Sequence, residues 1–121
     1  MYRRITQALV ITALVASLSG CGGSVQEITV NPVGAVIIDV RTPEEFASGH
    51  LDGALNIDVS SLDFDQKITE LDPKVRYLIY CRSANRSAQA LARMNGLGFT
   101  DMVDLGSIES ASDATGIKVI R

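Results

Sequence analysis

Apolar residues gather into short dense blocks separated by polar, turn-forming stretches, and the spacing within each block predicts its conformation. Ala35-Val36-Ile37-Ile38-Asp39-Val40 is nearly all apolar and follows a Pro/Gly turn, so it predicts a strand buried on both faces. Thr42 then offers an N-cap, Pro43 suits the first helical position, and Glu44 and Glu45 suit the positive end of a helix. A short helix is expected there, ended by Gly49. Residues 54–58 predict a second strand. Ser60 or Ser61 should cap a helix to about Leu71, with Leu62, Ile68 and Leu71 as its apolar side and Asp72-Pro73 as its stop.

Residues 75–80 form the strongest strand pattern in the chain. A helix over residues 83–95 follows, its small-residue face including Ala84, Ser87, Ala88 and Ala92, with Gly96 beyond its end. Residues 102–105 predict a last inner strand, and residues 117–120 an edge or terminal segment. Buried strands alternating with helices imply an α/β fold with a mostly parallel central sheet flanked by helices. Such sheets bind ligands where loops leave the carboxyl ends of the strands. Cys81 stands at such an end.

The first twenty residues have a different pattern. Arg3 and Arg4 precede an apolar run over residues 5–18, broken only by Thr6, Gln7, Thr12 and Ser17. That order is the order of a secretory signal, and the run is shorter than the roughly 20 apolar residues a membrane-spanning helix needs. Leu18-Ser19-Gly20-Cys21 resembles the lipobox of bacterial lipoproteins, which implies cleavage before Cys21 and acylation of its thiol. The expected organisation is a lipoprotein signal peptide at 1–20, a lipidated tether at 21–27 loosened by Gly22, Gly23 and Ser24, and one domain at 28–121. The protein is then extracytoplasmic and anchored to a membrane by lipid. Gly22, where inner-membrane retention usually has Asp, points to the outer membrane.

Charge narrows the possible partners. The whole chain carries a formal net charge of −3, and losing Arg3 and Arg4 leaves 9 basic against 14 acidic residues. No basic run is present, which excludes nucleic acid as a partner. His50 is the only histidine, and Cys21 and Cys81 are the only cysteines. Neither a metal site nor a Cys-x-x-Cys redox pair is expected, and no cofactor is required. The domain is expected to be a monomer.

The chemistry concentrates in Cys81-Arg82-Ser83-Ala84-Asn85-Arg86-Ser87. A thiol sits before a tight turn that runs directly into a helix. Backbone N–H groups and the positive helix end would face the sulfur. Arg82 and Arg86 add fixed positive charge, and Ser83 and Ser87 add hydroxyl donors. Such surroundings lower a thiol pKa from ~8.5 toward ~7 or below, giving a nucleophile suited to anionic substrates. The alternative is an inert, buried cysteine, which two arginines and two serines within six positions argue against.

Three separated stretches resemble the signature of rhodanese-like domains: Ile38-Asp39-Val40-Arg41-Thr42-Pro43-Glu44-Glu45-Phe46, Gly49-His50-Leu51-Asp52-Gly53-Ala54, and Tyr80-Cys81-Arg82-Ser83-Ala84-Asn85-Arg86-Ser87. The resemblance implies a rhodanese-like fold and a sulfurtransferase. Cys81 would take a sulfane sulfur from a donor such as thiosulfate, hold it as a persulfide, and pass it to cyanide or a thiol. The loop is Cys-x4-Arg; related phosphatases and arsenate reductases use Cys-x5-Arg, whose wider ring of amides fits a tetrahedral oxyanion. Arg86 would brace the loop and the anion, and Arg82, nearer the mouth, would recognise the donor. Asp39 and Arg41 resemble the family's Asp-x-Arg, implying an ion pair that holds neighbouring loops, and His50 resembles a structural histidine. Glu44 and Glu45 remain helix-start charges.

Two departures stand out. Ala84 occupies a position usually held by Gly, which strains the loop if φ is positive there. Residues 105–109 lack the Gly-Gly and Trp that often wall the pocket, so a less enclosed site is expected. These keep open a second function, a sulfur-carrier or anion-binding module that presents Cys81 to a partner protein without efficient turnover.

Overall fold

The computed structural model describes residues 28–121. The signal segment 1–20, the tether 21–27 and Cys21 lie outside the described residues. The chain order is β1 (Ala35–Asp39), α1 (Pro43–Ser48), β2 (His50–Leu51), β3 (Leu55–Asn56), α2 (Phe64–Thr69), β4 (Arg76–Cys81), α3 (Asn85–Gly96), β5 (Met102–Ser107), α4 (Ile108–Thr115) and β6 (Val119–Ile120). A four-stranded sheet in the order β3-β1-β4-β5 forms the centre, and every pairing in it is parallel. This is the α/β architecture that the alternating pattern predicts.

Burial explains why β1 and β4 read as continuous apolar runs. Ile38, Ile79 and Tyr77 point into a core shared with Phe64 and Ile68 of α2 and Met94 of α3. Ile37, Leu78 and Tyr80 point into a second core closed by Leu51, Leu105 and Ala111 of α4. Both faces are covered, so both sets of alternate residues must be apolar.

Register brings the working ends together. Asp39 lies level with Tyr80, and Cys81 lies level with Ser107. Between Ile79 and Tyr80 the β4–β5 register slips by one, leaving Leu105 as an extra residue on β5. The carboxyl ends of β1, β4 and β5 therefore share one edge of the sheet.

Several boundaries differ from the sequence pattern. The second strand is two residues, Leu55–Asn56, instead of 54–58. Helix α2 begins at Phe64, and Leu62 is fully exposed instead of lining its apolar side. The cause is a local turn: the Asp58 carboxylate accepts from both the amide and the hydroxyl of Ser60, at 2.9 and 2.6 Å, and so withdraws Ser60 from capping. Helix α3 begins at Asn85 because Ala84 is left-handed, and it includes Gly96. Strand β5 continues to Ser107, and α4 follows directly, with the Ser107 hydroxyl accepting from the Ser110 amide. The expected terminal segment is β6, paired antiparallel with β2.

Candidate active site

Strand β4 delivers Cys81 to the shared edge with no exposed surface. Its Sγ lies 3.5 Å from Ser87 Oγ and donates to it, while that hydroxyl donates to the Ala84 carbonyl at 3.0 Å. A hydroxyl has one proton, so formation of the thiolate requires it to turn from the carbonyl to the sulfur. Burial works against the thiolate. The Ser87 hydroxyl and the backbone N–H groups of Ser87, Ser83 and Ala84 together outweigh it, and the thiol titrates below its ordinary value.

The turn that aims these amides depends on Ala84, with φ 75° and ψ −14°. Among the described residues it is the only non-glycine with positive φ. The left-handed conformation costs an L-residue about 1–2 kcal/mol, so the loop is held in place at the expense of local strain. Arg82, Ser83, Ala84 and Asn85 are exposed, Arg86 is half-buried and Ser87 is buried.

Arg86 is already engaged. Its two terminal nitrogens donate to the two carboxylate oxygens of Glu45, at 2.7 and 2.9 Å. Glu45 also accepts from the Thr42 hydroxyl at 3.2 Å, while its amide donates to that hydroxyl at 3.3 Å. The bonds from Arg86 bring the Glu45 carboxyl down to about 2, against the opposing effect of burial. Glu45 is thus more than a helix-start charge, because it fastens α1 to the start of α3. The spacing Thr42-x-x-Glu45 is a capping-box signal, yet nothing local announces the distant arginine.

Asp39 and Arg41 form a buried pair. Arg41 Nε lies 3.0 Å from each carboxylate oxygen, and its Nη2 donates to Asp39 Oδ2 and to the Gly49 carbonyl, both at 2.6 Å. Burial disfavours the guanidinium charge, but the Asp39 carboxylate outweighs it and Arg41 stays charged. The Asn56 amide adds bonds to the carbonyls of Asp39 and Arg41, so β1, β3 and the α1–β2 junction meet on this pair. His50 stacks on Phe46 with ring centroids 3.7 Å apart, and its Nδ1 lies 2.9 Å from the Phe46 carbonyl. It fastens the end of α1.

A cavity of about 370 Å³ lies beside the loop, lined by Arg41, Glu45, Ser48, Arg82, Ile108 and Glu109. The first turn of α4 supplies Ile108 and Glu109, a wall that the polar composition of residues 107–115 did not disclose. Among the described residues no cluster of three or more His, Cys, Asp or Glu could hold a metal, and no helix is long and apolar enough to cross a membrane.

Residues 25–112 match the rhodanese-like domain family. The thiosulfate sulfurtransferase GlpE of Ectopseudomonas mendocina is 38% identical over 81 residues, covering 66% of this chain and 70% of that protein. GlpE of Pseudomonas putida strain F1 is 40% identical over 70 residues, covering 57% of this chain and 61% of that protein. In fold, the chain is similar to the rhodanese-like domain of the Alr3790 protein from Anabaena, with a TM-score of 0.63 and 21% identity over 73% of this chain and 88% of that one.

Proposed function

The chain belongs to the rhodanese-like domain family, and we propose that it is a sulfurtransferase that moves a sulfane sulfur from a donor such as thiosulfate to cyanide or a thiol. The observation that carries this is the Cys81 sulfur at the end of β4, faced by the Ser87 hydroxyl and the amides of Ser83, Ala84 and Ser87. Thiolate Cys81 attacks the outer sulfur of thiosulfate. The donor's S–S bond breaks, its electron pair leaves on sulfite, and a persulfide remains on Cys81. The loop amides stabilise the negative charge as it moves to the outer sulfur. Because Glu45 occupies the fork of Arg86, exposed Arg82 is the loop cation left for the donor's sulfonate.

A second reading, a carrier or anion-binding module that presents Cys81 to a partner protein, is favoured by the strained Ala84 in the loop that must receive the donor. Thiocyanate formation from thiosulfate and cyanide, abolished in Cys81→Ser, supports the enzyme. A mass gain of one sulfur atom on Cys81 without turnover supports the carrier, and no gain at all sinks both.

The sequence of residues 1–27 supports an extracytoplasmic protein anchored by lipid on Cys21, with the outer membrane favoured by Gly22. Cys21→Ser should block processing and abolish labelling by a fatty acid. Normal processing of that variant overturns the anchor.

A further inference from the structure

Ile28, Val33 and Leu97 are three of the six exposed large apolar side chains among the described residues, and all three lie at the amino edge of the sheet, opposite Cys81. The central strands are parallel, so their starts share that edge: Ala35 is level with Arg76, and Tyr77 with Met102. Val33 stands two residues before β1. Leu97 follows α3, which runs back from the cysteine loop, and Phe99 just beyond it packs edge-on against Tyr77 with ring centroids 5.5 Å apart. The chain enters the domain here as well. The Val30 amide donates to the Ala114 carbonyl in the last turn of α4, at 2.8 Å, and Ile28 stands beyond that bond. Leu62, in the loop that leaves β3, lies instead on the side of Cys81.

Scattered exposed apolar residues are ordinary. These three sit where an anchored chain has lipid within reach. Ile28 is seven residues after Cys21, and seven residues of chain span at most about 25 Å however they are arranged. Strand β4 alone carries the chain about 17 Å from the amino edge to the carboxyl edge, before the loop beyond Cys81 is added. Turning that loop toward the bilayer would therefore take nearly the whole span, whereas the amino edge meets the bilayer directly. On the lipid-anchor reading above, we propose that the amino edge docks on a phospholipid surface, with Ile28, Val33 and Leu97 at the boundary of headgroups and acyl chains and Cys81 turned to the aqueous side.

The anchor makes this contact intramolecular. With the bilayer confined within reach of Ile28, weak burial of three side chains is enough to fix an orientation that the same side chains could not hold from free solution. Arg76 and Asp101 at this edge pair with each other at 3.1 Å, so neither is left to oppose a headgroup. A site turned away from the bilayer takes its reactants from the aqueous compartment. That excludes a sulfur acceptor dissolved in the lipid.

The acylated full-length protein, carrying Cys81→Ser so that a single introduced thiol reacts, is labelled with an environment-sensitive fluorophore through Val33→Cys, Leu97→Cys or Leu62→Cys. Each is reconstituted in phosphatidylcholine vesicles with or without nitroxide-labelled acyl chains. The nitroxide should quench the labels at 33 and 97 at least about twofold more than the label at 62, because an interfacial face sits about 5–10 Å into the headgroup boundary. The same label at 62 controls for insertion of the fluorophore itself. Val33→Asp, at an exposed position, should cut the quenching at 97 by about half, since a charge then enters the boundary. Quenching at 62 that equals or exceeds that at 33 overturns the inference alone, as does quenching at 97 that Val33→Asp leaves unchanged. Expressed protein that carries no acyl chain overturns the anchor reading, and the inference with it.

Discussion

Glu45 and Arg86, 41 positions apart in sequence, meet as a two-bond fork that ties the start of the first helix to the start of the helix carrying the cysteine loop. The carboxyl titrates at about 2, below its ordinary 4.5. A depressed carboxyl contributes stability that is full above its unfolded value and is lost as pH falls through its folded one. Glu45→Gln should therefore be less stable by about 1 kcal/mol at neutral pH. Urea titrations should show that difference narrowing as pH falls from about 4.5 toward 2. A gap independent of pH would mean that the fork contributes through packing alone.

Ala84→Gly should stabilise the protein. Removing the methyl from a left-handed residue recovers about 1–2 kcal/mol, and the greater freedom of glycine in the unfolded chain returns about 0.5–1 kcal/mol of that. A rise in Tm of about 3–6 °C is expected from the balance. Ala84→Val, with a branched side chain at the same φ, should lower Tm.

Ser87→Ala removes the hydroxyl that turns toward the thiolate. The Cys81 pKa should rise, because a donor to the charged form is lost while burial still opposes that form. The pH profile of alkylation by iodoacetamide should move to higher pH and keep its plateau. A profile that stays in place would assign the whole effect to the backbone amides.

Asp39→Ala strands a buried guanidinium. The expected loss is about 3–5 kcal/mol, a large part of the stability of a small domain, measured by chemical denaturation. Pairing Asp39→Ala with Arg41→Met should recover much of it, since neither charge then needs a partner. Failure of the double variant to recover would place the role of the pair in its bonds to Gly49 and the surrounding backbone.

What the sequence disclosed was local. The parallel strands β1 and β4 announce themselves because burial on both faces leaves no polar alternate positions, and the Thr42 cap and Gly49 stop act within one turn. The cysteine loop is equally local, with its donors inside seven residues. Strand β2 was hidden because it exists through pairing of His50 and Leu51 with Ile120 and Val119. Helix α4 was hidden because it buries only Ala111, leaving its polar sequence close to that of a loop. Glu45 was half legible: its cap partner lies three residues away, but its arginine comes from another layer of the fold. Ala84 marked a conflict whose sign depended on φ, a quantity the surrounding loop imposes.

The complete burial of Cys81 has a consequence for reach. Unloaded, the cysteine has no exposed surface, which shuts out bulky thiols and disulfides. Once a second sulfur is attached, the reactive atom is displaced by about 2.0 Å, the length of an S–S bond. On the proposed sulfurtransferase reading, loading lengthens the nucleophile's arm, so the sulfur would be offered to an acceptor once there is something to give and shielded from unproductive thiol exchange before that.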